Sequence, residues 1–327
     1  MKTYLKISSV LLLAIGLVAC GGTKKDSSGK QQEEDAKNTF EKLASADQLP
    51  DQFLASNFEA IYKQTSDTFQ ADVSLDQFIN LGEGFNKGVD GYQLVSKMPI
   101  QNMTEYQWIS DEGDKGIRSY FADDMTIEGI QLMPITPYPK SDARYTENTY
   151  RMPVNEKWLT FWGGTNELVN YHYASENQRY AYDLVMMNGD TSFKGDPANN
   201  ESYYAFGKEV VAPRDGVVVS VESAIPDNTP TVDTNTEEPL GNHVIIEHEN
   251  NEYSVIAHLK EGSLKVVEGD KVSANDLIGL VGNSGNSSEP HIHFHVADSP
   301  KWEEATSIRI KIENGIDPVR GDIVTGF

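Results

Sequence analysis

Residues 290–296 read PHIHFHV, and the alternation within them decides how the rest of the chain is read. Successive side chains of a strand point to opposite faces, so Ile292, Phe294 and Val296 face a core while His291, His293 and His295 share the other face. Neighbouring imidazoles then start roughly 7 Å apart, at about 3.3 Å per residue, close enough to serve one metal-centred site in different roles. The plain alternative is a surface strand that carries three histidines for no chemical reason. Upstream, Gly282-Asn283-Ser284-Gly285-Asn286 supplies a glycine-supported turn that delivers the strand, and His258 ends the apolar run EYSVIAH.

All seven histidines lie between His172 and His295. The same region alternates β-branched or aromatic residues with polar ones, which predicts strands at KWLTFWG, NELVNYH, QRYAYDLVM, VVAPRDGVVVSVES, NHVIIEHE, EYSVIAHL, LIGLVG and HIHFHVA. The expected fold is a mostly antiparallel β domain over residues 138–327. A two-residue hairpin loop at Asn250-Asn251 would set His243 across from His258 and His248 across from Tyr253. Both His243 and His248 read as ordinary strand residues and stay outside the expected site.

Composition narrows the function classes. The chain has 327 residues, 27 Lys+Arg against 50 Asp+Glu, a formal net charge of −23 and a pI near 4.6. No basic stripe is available to neutralise phosphates, so nucleic acid and other polyanions are excluded as partners. A single cysteine cannot form an internal disulfide, leaving packing, metal or both as the source of stability.

Lys2 and Lys6 precede an apolar run from Ile7 to Ala19 with the proportions of a signal h-region. It ends Leu17-Val18-Ala19-Cys20, which resembles a bacterial lipobox; the resemblance implies cleavage after residue 19 and lipid on Cys20. Acyl chains there would bury methylenes at roughly 0.8 kcal/mol each, so the expected location is extracytoplasmic and lipid-anchored to the bacterial cell membrane. Residues 20–36 are small and charged and read as a solvated tether.

Residues 37–137 read as an α+β accessory domain without histidine or cysteine. From Leu54, the spacing of Phe58, Ile61, Tyr62 and Phe69 predicts one amphipathic helix. Ser74-Leu75-Asp76-Gln77 is a capping box for a second. YQLVSKMPI, EYQWIS, GIRSYFADD and TIEGIQLMPI then form a strand meander. The stretch from Thr39 to Pro134 resembles small NTF2-like accessory domains found before extracellular hydrolase domains, which implies a spacer or a docking unit for an envelope protein partner. The unperiodic Ile135–Pro153 segment marks the boundary, placed near Tyr138.

From about Phe161 to Ala297 the chain resembles the lysostaphin-type, LytM-like zinc endopeptidases of bacterial cell walls. The resemblance rests on Gly241-Asn242 opening NHVIIEH, IAHL around His258, EGDKVSANDLIGLVGNSG, and PHIHFHV, in that order. It implies that His293 is a zinc ligand and that His291 and His258 are the catalytic histidines. The family also shows a histidine four residues before an aspartate. Asp183 in QRYAYDLV takes the aspartate position, yet Arg179 stands four residues earlier and cannot coordinate zinc because it stays protonated. His172, eleven positions upstream of Asp183, is the replacement candidate, on a strand that ends there and returns through a polar loop.

Two imidazoles and a carboxylate, His172, His293 and Asp183, suit a tetrahedral Zn2+ with one open position. His291 is then the general base or proton shuttle and His258 stabilises the oxyanion, or the two exchange these roles. Tyr171 and Tyr182 are candidates to polarise the scissile carbonyl. Ser284 lacks the second glycine of a nucleophile elbow. The Pro-, Thr- and acid-rich segment from Ile225 to Leu240 reads as a mobile loop bordering the groove. The leading expectation is hydrolysis of peptidoglycan stem or cross-bridge peptides. Its rivals are a degenerate scaffold that binds cell wall or activates another hydrolase, and a solute-binding lipoprotein.

Overall fold

The computed structural model describes residues 42–326; the signal segment, Cys20 and the tether lie outside it. Residues 41–327 cluster as one contact unit. Ser74 caps the helix Leu75–Asn86 with the expected box, its side chain accepting from Gln77 while Gln77 answers the cap backbone. The single helix expected from Leu54 is instead three short ones, Leu49–Leu54, Phe58–Lys63 and Asp67–Asp72. Ser66 interrupts the periodic pattern by capping the third, with its hydroxyl accepting from Phe69 N–H, so the apolar spacing survives a break in the backbone. Phe53, Phe58, Phe69 and Phe78 pack edge to face as the centre of this half's core.

The meander forms as read: Tyr92–Ile100, Met103–Ser110, Lys115–Ala122 and Ile127–Pro134 pair antiparallel in sequence order. The meander packs on the histidine-bearing region through buried polar contacts. Glu105 lies between Arg118 and Arg320, with Arg320 Nε 2.6 Å from its carboxylate. Arg118 also donates to the carbonyl of Leu168, and the Ser96 hydroxyl donates to the Arg320 carbonyl at 2.8 Å. A removed partner here would leave an uncompensated buried charge, so the contact holds the two parts in register.

The second sheet runs, edge to edge, Lys271–Val272, Gly216–Glu222, Asn242–His248, Glu252–Leu259, Ile292–Ala297, Tyr182–Val185, Trp158–Trp162 and Ile323–Val324. Ser307–Ile312 also pairs with Ile292–Ala297 and runs parallel to Tyr145–Tyr150. Elsewhere this sheet is antiparallel, as expected. Ile292, Phe294 and Val296 are fully buried in the main core with Ile246, Ile256 and Tyr182.

Three local expectations are corrected. NELVNYH is not a strand: a 3-10 turn spans Tyr171–Ala174, because the Asn170 side chain accepts from His172 N–H and closes it. The hairpin loop includes Glu249 with Asn250 and Asn251, so His248 pairs with Glu252 instead of Tyr253. The Ile225–Leu240 segment is not free. Asn228 donates to the carbonyls of Gly285 and Ser287, Thr231 N–H to Ser288, and Asn235 N–H to Gly285, which pins the segment on the turn before the histidine strand.

Candidate metal centre

Strand register does most of the positioning. Asp183 is the direct cross-strand partner of His293, so the two side chains rise from adjacent positions on one face. His293 Nδ1 lies 3.0 Å from Asp183 Oδ1. On the other flank Ala257 pairs with His293, and regular alternation would turn the next residue, His258, away from the site. A φ of +63° at His258 breaks that alternation and brings its ring to 4.7 Å from His291 and 5.6 Å from His293. A left-handed conformation at a non-glycine residue costs about 1–3 kcal/mol and persists where neighbours impose it. Here Leu240 O accepts from His258 N–H, and Ser284 O takes the ring Nδ1 at 2.9 Å. Gly241, at φ +56°, lets the backbones meet: a Cβ there would stand 2.4 Å from Ser284 C.

His172 reaches the group from its 3-10 turn. Asn170 Nδ2 donates to the carbonyls of Gly164 and Ala181, tying the turn to the start of the Asp183 strand. His172 is 1% exposed, with Nε2 at 3.6 Å from Asp183 Oδ2. Arg179, at the position where the resemblance expects a ligand, points elsewhere: it donates to Tyr173 O at 2.6 Å and stacks 3.6 Å above the Tyr138 ring. His243 and His248 hydrogen-bond to backbone carbonyls of Gly241 and Asp215, outside the cluster as expected. Tyr182 is buried in the core beneath the sheet, which removes it from the chemistry; Tyr171 lines the cleft beside Asp183.

The donor set fits a cation. Ligand atoms of His172, Asp183 and His293 lie within 4.8 Å of one another, and all three residues are buried. His172 Nδ1 bonds to Asn170 Oδ1 at 3.1 Å, leaving the Nε2 lone pair facing Asp183. His293 Nε2 lies 2.9 Å from His295 Nδ1; with the hydrogen on His293, its Nδ1 lone pair also faces Asp183. Two imidazole lone pairs and a carboxylate converging in a buried pocket are satisfied by a divalent cation, and nitrogen-rich donors favour zinc. Burial opposes ionisation of Asp183, yet His172, His291 and His293 around it hold its carboxyl well below the usual carboxylate range. Burial likewise pushes His172 down to about 3 and His258 well below the ordinary histidine value, so both rings are neutral at pH 7, as ligand and base must be.

Sequence reading gave His295 no role. It is 1% exposed, meets Trp302 edge to face at 6.0 Å, and fixes the outer nitrogen of His293. A ligand's outer hydrogen bond sets its tautomer and ring orientation. His295→Ala is therefore expected to weaken zinc affinity by about 10–100-fold while leaving the fold intact, measured by competition against a chromogenic chelator.

Residues 202–304 match the sequence model of Peptidase family M23. The C-terminal part of the chain carries an M23 peptidase domain. His258, His291 and His293 lie inside the matched segment; His172 and Asp183 precede it, and only the folded chain brings their ligand atoms within 4.8 Å of those of His293. Among similar proteins are an uncharacterized metalloprotease of Buchnera aphidicola subsp. Baizongia pistaciae, 32% identical over 90 residues, and the peptidoglycan DD-endopeptidase ShyA of Vibrio cholerae serotype O1, 34% identical over 94. The aligned stretches are 28% and 26% of this chain, and the chain spans 20% of the length of each relative. The catalytic domain of lysostaphin from Staphylococcus simulans is similar in structure at 18% identity and a TM-score of 0.28, covering 47% of this chain and 88% of that one.

Proposed function

We propose that the protein is a zinc endopeptidase anchored outside the cell membrane by lipid on Cys20, hydrolysing peptide bonds in peptidoglycan stem or cross-bridge peptides. The observation that carries the reading is the convergence of five side chains, the trio His172, Asp183 and His293 with the rings of His258 and His291 beside it, at an open cleft that Asp183 and His291 line. The accessory domain of residues 37–137, NTF2-like in its sequence resemblance, serves as spacer or docking unit, with 138–327 as the peptidase domain. Arg179, four residues before Asp183, motivates the degenerate scaffold as the rival; His172, with its ligand atom within 4.8 Å of those of Asp183 and His293, supports the active reading.

Zinc held by His172, Asp183 and His293 supplies a Lewis acid for a peptide carbonyl and a lowered pKa for water. The chain's own groups handle the protons. His291 Nδ1 is committed to Glu289 O at 2.8 Å, which leaves Nε2 as an acceptor 3.7 Å from Asp183 Oδ1. His258 Nδ1 is committed to Ser284 O, so its Nε2 is an acceptor as well. Both rings thus begin as bases. His291, at the cleft wall, takes the proton of the attacking water and returns it to the leaving amine. His258, its ring 4.7 Å from that of His291, stands as the second base of the pair. Tyr171, half-exposed at the border of the same cleft beside Asp183, supplies a standing donor through its hydroxyl.

Purified protein is expected to contain about one zinc per chain, and a chelator to abolish release of soluble fragments from cell walls, with recovery on adding zinc. A zinc-free wild type that still binds walls would establish the scaffold reading in its place.

A further inference from the structure

Beside the metal trio lies a cavity of about 280 Å³, bordered by Trp162, Tyr171, Asp183, Glu289 and His291. One wall is aromatic, with the Trp162 and Tyr171 rings edge to face at 5.3 Å. The opposite charge comes from Glu289, which sits half-buried on the turn that presents His291. One Glu289 carboxylate oxygen accepts from the Ser192 hydroxyl at 3.1 Å; the other accepts no hydrogen bond among the described residues. No lysine or arginine lines the cavity. Two guanidiniums, Arg320 and Arg118, lie over the Trp162 ring at 4.1 and 5.5 Å and are both spent on Glu105, so Trp162 acts as a wall and the charge recognition falls to Glu289.

A half-buried carboxylate beside an aromatic wall, with one oxygen that accepts no hydrogen bond among the described residues, suits a cation. Burial raises the Glu289 carboxyl above its ordinary value, while His291 and the Ser192 hydroxyl pull it back down. We propose that this cavity is a substrate subsite for a primary ammonium group, carried by a diamino acid side chain or a free amino terminus beside the bond that is cut. The proposal rests on the endopeptidase reading above and names the chemistry of its substrate. Glu289 is a specificity residue: its carboxylate receives the ammonium, while Tyr171 and Trp162 cover the methylenes behind it.

The test uses the full chain on two forms of one purified peptidoglycan, native and exhaustively N-acetylated, so that free amines are present or neutralised. Wild type is expected to lose about tenfold in kcat/KM on the acetylated wall, chiefly through KM, as a lost charge-assisted bond predicts. Glu289→Gln, nearly isosteric, is expected to lose about the same on the native wall and to treat both walls alike, with zinc content unchanged. Equal cleavage of the two walls by wild type, or an amine preference retained by Glu289→Gln, overturns the subsite and leaves the endopeptidase reading standing. Wild type that cleaves neither wall overturns both. The wild-type comparison decides the matter even where the variant fails to fold.

Discussion

His293→Ala is expected to leave the protein folded, without zinc and without wall-hydrolysing activity. His293 is 2% exposed and holds the middle of the site: Asp183 on one side, His295 on the other, the rings of His172 and His258 at 4.8 and 5.6 Å. Its removal takes one of three donors and leaves two, too few for a structurally held tetrahedral zinc. The loss is expected to reach about 1,000-fold or more in zinc affinity and at least that in kcat/KM. Elemental analysis of the dialysed variant reads the first and release of soluble wall fragments the second. Retained hydrolysis at a wild-type rate would mean that the trio is not the metal site.

His291→Ala has a different signature. His291 belongs to the cleft wall and not to the trio, so the variant is expected to keep about one zinc per chain while kcat falls by roughly 100- to 10,000-fold, the range for loss of a positioned base. KM should move little, because the ring contributes proton transfer instead of a binding surface. His258→Ala separates the two rings. A comparable kcat loss with zinc retained assigns it to the chemistry, whereas zinc loss in either variant would recast that ring as a ligand. Non-additivity in the double variant is expected, since the two rings lie 4.7 Å apart and act on one proton inventory.

Much of this was legible in the residues because it depends on alternation. The period of two in PHIHFHV sorted three core residues from three imidazoles, and the structure keeps that sorting. The four meander strands and the Ser74 cap were legible for the same reason: local pattern and a short-range hydrogen bond suffice for each. The failures share a cause as well. NELVNYH has strand-like composition, but the Asn170 side chain competes for the backbone and closes a turn. The Phe58 to Phe69 spacing is helical, but Ser66 starts a new helix within it. Propensity alone does not weigh a side-chain cap against continued periodicity. The Ile225–Leu240 segment read as mobile from its composition; its partners, the carbonyls of Gly285, Ser287 and Ser288, lie some sixty residues away.

Local order along the chain determined which residue types were available for chemistry: histidines gathered in one region, a strand that turns three of them to one face, and an aspartate on a neighbouring strand. Tertiary structure alone decided which of them meet. Cross-strand register set Asp183 opposite His293, Asn170 returned His172 across eleven residues to stand beside Asp183, and a left-handed backbone at His258 aimed a ring that alternation would have turned away. The physical reason is range: side-chain direction follows from neighbours one or two residues off, whereas convergence on one cation depends on hydrogen bonds between segments that the sequence keeps far apart.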